Sequence, residues 1–403
     1  MAHGELKRDC MAPWKLTPGM GDLIAGHRPG HALAQGFYLR DDIFVRDMAL
    51  LLNRWTCVGH VSEVAEAGDW ITAELGAESA IIVRADDGIL RALANVCRHR
   101  GSRICVDARG SAAVLVCPYH AWSYHLDGRL RAAREMPAGF DPAAHGLRAL
   151  PLTEIGGLIF ISFGDDPPDL SLAAPALAGF CERYAWPGAK IAHRAMYSVT
   201  ANWKLALENY HECYHCGPAH PEFSVLHALA HPGARTLSTN VDESAAHKDT
   251  EAWGPEPDGA EVVRVMRSAL SRGAHSGSAD GQLVAPAMGP LDGQCVFAEL
   301  GFLSAFLAYA DYGVIYRFIP RGVLETQIEV IWLVRGDAAP GRDYDLKRLI
   351  WLWDVTSLAD KRIIETNQAG VRSRHYKPGP FSLMEPGTAA YVERYVAELA
   401  ASL

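Results

Sequence analysis

From about Trp55 to Phe163, apolar residues come in short runs separated by polar turn formers. Ile81-Ile82-Val83 and Ile89-Leu90 flank Asp86-Asp87-Gly88, and the stretch from Trp122 to Leu130 folds back at Asp127-Gly128. Both are hairpin signals, so the pattern predicts a small all-β domain. Leu158-Ile159-Phe160-Ile161 reads as its last buried strand, after which Gly164-Asp165-Asp166-Pro167-Pro168 breaks the pattern as a linker would. Beyond the linker, helical and strand periods mix, with strands expected at 313–318 and 326–334, and a second, α+β domain is indicated. Residues 229–294, rich in Gly, Ala, Ser, His and Pro, read as mobile loops of the length used for lids, with one short ordered segment around 261–267. The expected division is 45–164 for the β domain and 165–403 for the second domain, with 1–44 packed on the latter.

Two helices carry most of the remaining information. Residues 202–217 read as one helix capped by Asn202 and stopped by Gly217-Pro218. At about 100° per residue, Trp203, Leu207, Tyr210 and Tyr214 form a packing face, which leaves Glu208, Glu212 and His215 opposite and free for chemistry. A second helix at 345–370 has an apolar face of Leu349, Ile350, Trp353 and Ile364, and Asp360 falls in its middle, whereas Asp354 and Glu365 lie to one side. An ionised Asp among apolar neighbours is costly unless it is paired or bound to a metal, which singles out Asp360.

Composition narrows the class. A length of 403 residues favours two domains, and 49% hydrophobic with 21% charged residues is ordinary for a globular chain. No stretch approaches about eighteen uninterrupted apolar residues, and Met1-Ala2-His3-Gly4-Glu5-Leu6-Lys7-Arg8 lacks a signal-peptide core, so a cytoplasmic protein is expected. A net charge of −9 without a basic run argues against nucleic acid or a membrane surface as partner. There are nine cysteines. Seven of them (Cys10, Cys57, Cys105, Cys181, Cys213, Cys216 and Cys295) show no disulfide framework, as in a reducing compartment.

The other two cysteines belong to a pattern. Cys97-x-His99 and Cys117-x-x-His120 are mixed pairs separated by seventeen residues. A Rieske 2Fe-2S cluster needs two thiolates on one iron and two neutral imidazoles on the other, hence one Cys and one His from each of two facing loops. The rival, structural zinc, usually pairs cysteines in one knuckle and histidines in the other, so mixed pairs favour the cluster. Respiratory Rieske proteins tie these loops with a disulfide, whereas Ser102 and Tyr119 stand in those places here. Ala121-Trp122 likewise replaces a Gly-Ser that donates hydrogen bonds to the cluster, and fewer donors predict a low-potential electron carrier.

A carrier needs an acceptor. His220 follows just past the predicted helix stop, so a turn could return it beside His215, and with Asp360 the pair would form the two-His, one-carboxylate face of a non-haem iron. By spacing alone, structural roles for all three remain open; the cluster favours the metal.

Taken together, the two mixed pairs, Glu212-x-x-His215-x4-His220 and the late Asp360 resemble the large subunit of Rieske non-haem iron oxygenases over nearly the whole chain. Asn95-Val96-Cys97-Arg98-His99-Arg100-Gly101-Ser102-Arg103, Glu208-Asn209-x-x-Glu212-Cys213-Tyr214-His215-Cys216 and Trp353-Asp354-x6-Lys361-Arg362-x2-Glu365 are similar to glycine betaine and proline betaine demethylases. The resemblance implies a helix-grip, START-like catalytic domain and a head-to-tail homotrimer in which one subunit's cluster faces the next subunit's iron. It also implies that Glu212 bridges the two centres, hydrogen-bonding an iron-ligand His in its own chain and a cluster His across the interface. The expected reaction uses dioxygen at Fe(II) to hydroxylate an N-methyl group of a betaine-type substrate, with release of formaldehyde. Tyr312, Tyr316 and Phe318 share a strand face and are candidates for holding the quaternary nitrogen. No Gly-x-Gly-x-x-Gly follows a strand, so a separate flavin or iron-sulfur reductase would deliver electrons from NAD(P)H. Two alternatives are an aromatic-ring hydroxylase or aryl demethylase, and an electron carrier without oxygenase activity.

Overall fold

The computed structural model describes residues 19–227, 261 and 263–403. Glu78–Arg84 and Leu90–Ala94 pair antiparallel across Asp86-Asp87-Gly88, where Gly88 takes a φ of 77° that a side chain would resist. Both belong to a five-stranded sheet of order Arg109–Ser111, Asp69–Leu75, Glu78–Arg84, Leu90–Ala94, Ala149–Leu150. A second sheet, Leu115–Val116, Ser123–Tyr124 and Leu130–Ala132, reverses at Gly128 with φ 91°. Leu158–Ile161, buried along its length, is the central strand of a third, between Thr56–His60 and Leu152–Ile155.

The rest of the chain is built on a six-stranded antiparallel sheet of order Ala189–Val199, Glu325–Arg335, Gly313–Gly322, Ser304–Ala308, Gln294–Leu300, Val263–Ala269. Its two-residue period divides the strand Gly313–Gly322 between two cores. Val314, Tyr316 and Phe318 join Leu349, Leu352 and Trp353 of the 26-residue helix Leu346–Val371. Ile315 joins Leu177, Phe180, Trp186 and, from the β domain, Phe160. Side-chain hydrogen bonds pin the long helix along its length: Tyr197 Oη to Asp354 at 2.6 Å, Tyr316 Oη with Ser357 at 2.8 Å, Thr200 N to Glu365 at 3.0 Å and Asn202 N to Gln368 at 2.8 Å. The buried carboxylate of Asp47, in the helix Asp41–Leu52, accepts from Lys204, from Trp203 Nε1 at 3.1 Å and from Tyr395 Oη at 2.7 Å. It thereby ties the N-terminal helices to Trp203–Tyr210 and to the C-terminal helix Pro386–Ala401. Among the described residues no helix is long and apolar enough to cross a membrane.

Two elements depart from the sequence pattern. The helix expected over 202–217 has its Asn202 cap, which accepts from Lys204 N, but ends at Tyr210. His211 stops it by turning Nδ1 onto Leu207 O at 2.5 Å while Nε2 meets Glu299 at 3.2 Å and the ring stacks on Tyr391 at 4.8 Å. The expected free face therefore dissolves. Glu208 is buried and accepts from Tyr38 Oη at 2.8 Å, Tyr214 is exposed, and Glu212 and His215 sit in the break. Gly217-Pro218 lies inside a following helical turn, Cys216–Ala219. Of the loops expected over 229–294, residues 229–260 lie outside the described residues, and Val263–Ala269 forms an edge strand. Residues 270–293 carry no strand apart from the sheet but pack inward instead of lying loose, because buried Asp311 accepts from Ser276 Oγ at 3.1 Å, Val284 N at 2.6 Å and Ala285 N at 3.1 Å.

Candidate iron centres

The two mixed Cys/His pairs sit in loops with the same backbone plan. Cys97 N donates to Ser102 O and Gly101 N to Cys97 O, at 2.8 and 2.9 Å; Cys117 N donates to Trp122 O and Ala121 N to Cys117 O, at 2.8 and 3.0 Å. The fourth residue after each cysteine takes a left-handed φ, 79° at Gly101 and 56° at Ala121. The loop geometry thus imposes on Ala121 a conformation that costs an L-residue about 1–2 kcal/mol.

These turns bury Cys97 and Cys117 and leave His99 and His120 exposed, with ring centroids 4.8 Å apart and His99 stacked on Trp122. Burial alone would raise the Cys117 thiol, but hydrogen bonds from the Tyr119 and His120 backbone and from Cys97 outweigh it and bring it below its usual range. Desolvation and the nearby His99 and Arg100 push His120 down, toward the neutral imidazole. Two sulfurs inside and two imidazoles outside fit the donor set of a Rieske cluster. Tyr124 is an addition that sequence reading missed. Its hydroxyl lies 3.2 Å from Cys97 Sγ and accepts from Arg98 N at 3.0 Å, so its proton is free for the sulfur. One hydrogen-bond donor to the ligand sulfur therefore survives despite Ala121-Trp122.

At the other centre, the helix break turns Glu212 back on its own chain. Its carboxylate accepts from Tyr214 N, from His215 N at 3.1 Å and from His215 Nδ1 at 2.5 Å. With Nδ1 occupied, His215 Nε2 faces Asp360 Oδ1 at 3.2 Å. The next turn carries His220, fully buried, with Nε2 at 2.8 Å from the same oxygen. Asp360 arrives from the long helix. Its carboxylate would be raised by burial, but hydrogen bonds to both histidines hold it below its usual range. Burial opposes charge on His215, yet Asp360 and Glu212 push it up to about 10. Two carboxylates around one ring thus make a pocket that demands positive charge. The three ligand atoms lie within 4.8 Å of one another, and the donor set suits a divalent iron. A cavity of about 270 Å³ lined by Glu208, Asn209, Glu212, His215, Ile364 and Thr388 opens beside it.

The aromatic candidates are buried. Tyr316 and Phe318 pack on Tyr210 at 5.5 and 5.4 Å, and Tyr316 also meets Trp353 at 5.7 Å. Tyr312 pairs with Tyr309 at 4.8 Å and donates to Gly277 O at 2.8 Å. The aromatic rings that reach the histidines are others: Phe223 lies 6.5 Å from His220 and 5.6 Å from Trp353. His227, stacked on Phe223 at 3.8 Å and hydrogen-bonded to Tyr309 at 2.9 Å, is pushed down to about 4 by burial and stays neutral. Phe223 and His227 were visible only as an i, i+4 pair on a short helical turn.

A buried-thiol, exposed-imidazole tip on a β domain, joined to a sheet-gripped helix that presents a carboxylate to two histidines, defines a two-centre oxygenase. Residues 54–151 match the Rieske [2Fe-2S] domain and residues 188–401 the catalytic domain of the ring hydroxylating alpha subunit. The chain belongs to that Rieske oxygenase family and is an oxidoreductase whose cofactors are a 2Fe-2S cluster and a mononuclear iron. It is 35% identical over 398 residues to the glycine betaine monooxygenase oxygenase subunit of Chromohalobacter salexigens, covering 93% of this chain and 87% of that one. It is 40% identical over 194 residues to the carnitine monooxygenase oxygenase subunit of Escherichia coli K12, covering 47% and 52%. In fold it is similar to a solved quaternary ammonium Rieske monooxygenase, with TM-score 0.72, 24% identity and coverage of 96% and 100%.

Proposed function

We propose that this protein oxidatively removes an N-methyl group from a quaternary ammonium, betaine-type substrate. The observation that carries the reading is the similarity, over 93% of the chain, to an oxygenase subunit named for glycine betaine. A quaternary nitrogen accepts no hydrogen bond and is best held against aromatic faces. The Phe223, Trp353 and Tyr316 rings beside the triad supply such faces, and Phe318, stacked on Tyr316, extends the same wall.

In this reading Cys97, His99, Cys117 and His120 hold the cluster, and His215, His220 and Asp360 hold the iron. When bound, the two centres supply reductive activation of dioxygen and a C–H hydroxylation. The protein's own groups do the positioning. Glu212 holds the proton on His215 Nδ1 and so keeps Nε2 free as a ligand, and in a head-to-tail trimer it would also meet a cluster histidine of the neighbouring subunit. The aromatic wall excludes water from the methyl group. The product carbinolamine, N–CH2OH, breaks its C–N bond; the electron pair stays on nitrogen and formaldehyde leaves with loss of a proton.

The reading further includes a head-to-tail homotrimer, a cytoplasmic setting and a separate reductase as electron donor, the last in keeping with relatives named as oxygenase subunits. Residues 45–164 would form the cluster domain and 165–403 the iron domain, with the N-terminal segment 1–44 packed on the latter, of which residues 1–18 lie outside the described residues. The test is a reconstituted assay with a donor reductase and a panel of glycine betaine, proline betaine, carnitine and salicylate. Stoichiometric formaldehyde from a betaine supports the reading. Hydroxylated salicylate without formaldehyde from any betaine replaces it with aromatic hydroxylation, and about two irons per chain with no product from any substrate reduces the protein to an electron carrier.

A further inference from the structure

Cys213-Tyr214-His215-Cys216 places a thiol on either side of a proposed iron ligand, and it is the one Cys-x-x-Cys in the sequence. The backbone closes here in a turn, with Cys216 N donating to Cys213 O at 3.2 Å. Such turns hold the first and fourth Cα atoms within about 7 Å, and a disulfide spans about 4.4–6.8 Å. Cys213 and Cys216 hold the first and fourth places of that turn. Their surroundings differ. Cys216 is buried, whereas Cys213 is the one exposed cysteine among the described residues, the remaining thiols all being shielded.

We propose that Cys213 and Cys216 are a modification site: peroxide links them in a reversible disulfide that re-aims His215 and disarms the iron site. The oxidant is hydrogen peroxide, the two-electron reduction product of dioxygen. Cys213 Sγ, the sulfur in contact with solvent, attacks the O–O bond; an S–O bond forms, the O–O bond breaks and one water leaves. Cys216 Sγ then displaces the second oxygen; the S–S bond forms, the S–O bond breaks and a second water leaves, so the two thiol hydrogens end in water and both sulfurs are oxidised by one electron each. To make the bond, Cys216 must draw its sulfur out of the core. The turn that moves with it begins at His215, whose carbonyl accepts from Ala219 N at 3.0 Å and whose ring is held by Glu212. A ligand whose own carbonyl closes that turn cannot keep its aim when the turn is pulled.

The linkage itself does not depend on the iron assignment; only the disarming does. Purified holoenzyme and iron-depleted protein are treated with hydrogen peroxide, alkylated and digested for peptide mass spectrometry, and iron is counted before and after. The expected result is a peptide holding both residues, unalkylated and two hydrogens lighter, together with a roughly tenfold or greater loss of activity and loss of the mononuclear iron. Dithiothreitol followed by Fe(II) restores both, and Cys213→Ser keeps its iron and its activity at the same peroxide dose. The proposal is overturned if no linked peptide forms, if Cys213 is driven instead to sulfinic acid that dithiothreitol does not reverse, or if Cys213→Ser loses iron as readily as the unaltered protein. Failure of the iron reading would show separately, as about two irons per chain before any peroxide is added.

Discussion

The molecule holds two histidine pairs at almost the same separation, His99 and His120 at 4.8 Å and His215 and His220 at 5.1 Å, crossed at 74° and 82°. Their surroundings set them apart. The first pair projects into solvent from loops whose cysteines are buried, so its imidazole edges face outward. The second turns inward; His220 is fully buried, and both rings converge on one carboxylate oxygen. Equal ring geometry thus gives opposite chemistry once burial and the third partner are fixed. One pair suits passing charge outward, and the other suits a cation that keeps open positions.

The sharpest way to break this comparison is to remove the inward pair's carboxylate. Asp360→Ala should abolish product formation and lower iron from about three to about two per chain, with the visible spectrum of the cluster unchanged. His120→Ala should do the reverse, losing the cluster spectrum while one iron stays. If either substitution empties both centres, the pairs are not independent. Next in size, Glu212→Ala removes the acceptor that fixes the His215 tautomer and should cost roughly 10–100-fold in activity, while Glu212→Gln, which keeps an acceptor oxygen, recovers part of it.

A smaller effect is read in stability. Burial raises the Glu208 carboxyl from 4.5 to about 8, although Tyr38 and Lys204 oppose the shift. The folded state therefore holds a proton that the unfolded chain gives up above pH 4.5. The stability this contributes is complete below that pH and is lost as pH rises toward 8. Glu208→Gln should match the unaltered protein in melting temperature near pH 4.5 and exceed it by a few degrees above pH 8; equal melting temperatures throughout would place the shift elsewhere. Smallest is Tyr124→Phe at the outward pair. Loss of one hydrogen bond to Cys97, worth about 1 kcal/mol, should lower the cluster potential by on the order of 40 mV in protein-film voltammetry, with both irons of the cluster retained.

Legibility in the sequence follows the range of the forces involved. The hairpins at Gly88 and Gly128 and the strands Gly313–Gly322 and Glu325–Arg335 were readable because turn chemistry and a two-residue period are local. Asp360 was readable because Leu346–Val371 runs unbroken and keeps its period to the end. The stop at Tyr210 was not, since Glu299 and Tyr391, distant in sequence, act on His211. The same holds for 270–293, whose order comes from the buried carboxylate of Asp311. Tyr124 was overlooked because it sits beyond the ligand loop, where a strand tyrosine reads as packing. Tyr312 lies just before the strand Gly313–Gly322, and its hydroxyl is committed to Gly277, a contact that no alternation rule reveals.

The long helix has one more consequence. About 39 Å of continuous backbone, fastened at Asp354, Ser357, Glu365 and Gln368, works as a splint, and Asp360 is its fixed jaw. The opposing jaw is made of two brief helical turns, Cys216–Ala219 and Pro221–Leu226. Metal loading and leakage should then be governed by the hinge that carries the imidazoles, while the carboxylate waits in register from the moment the chain has folded.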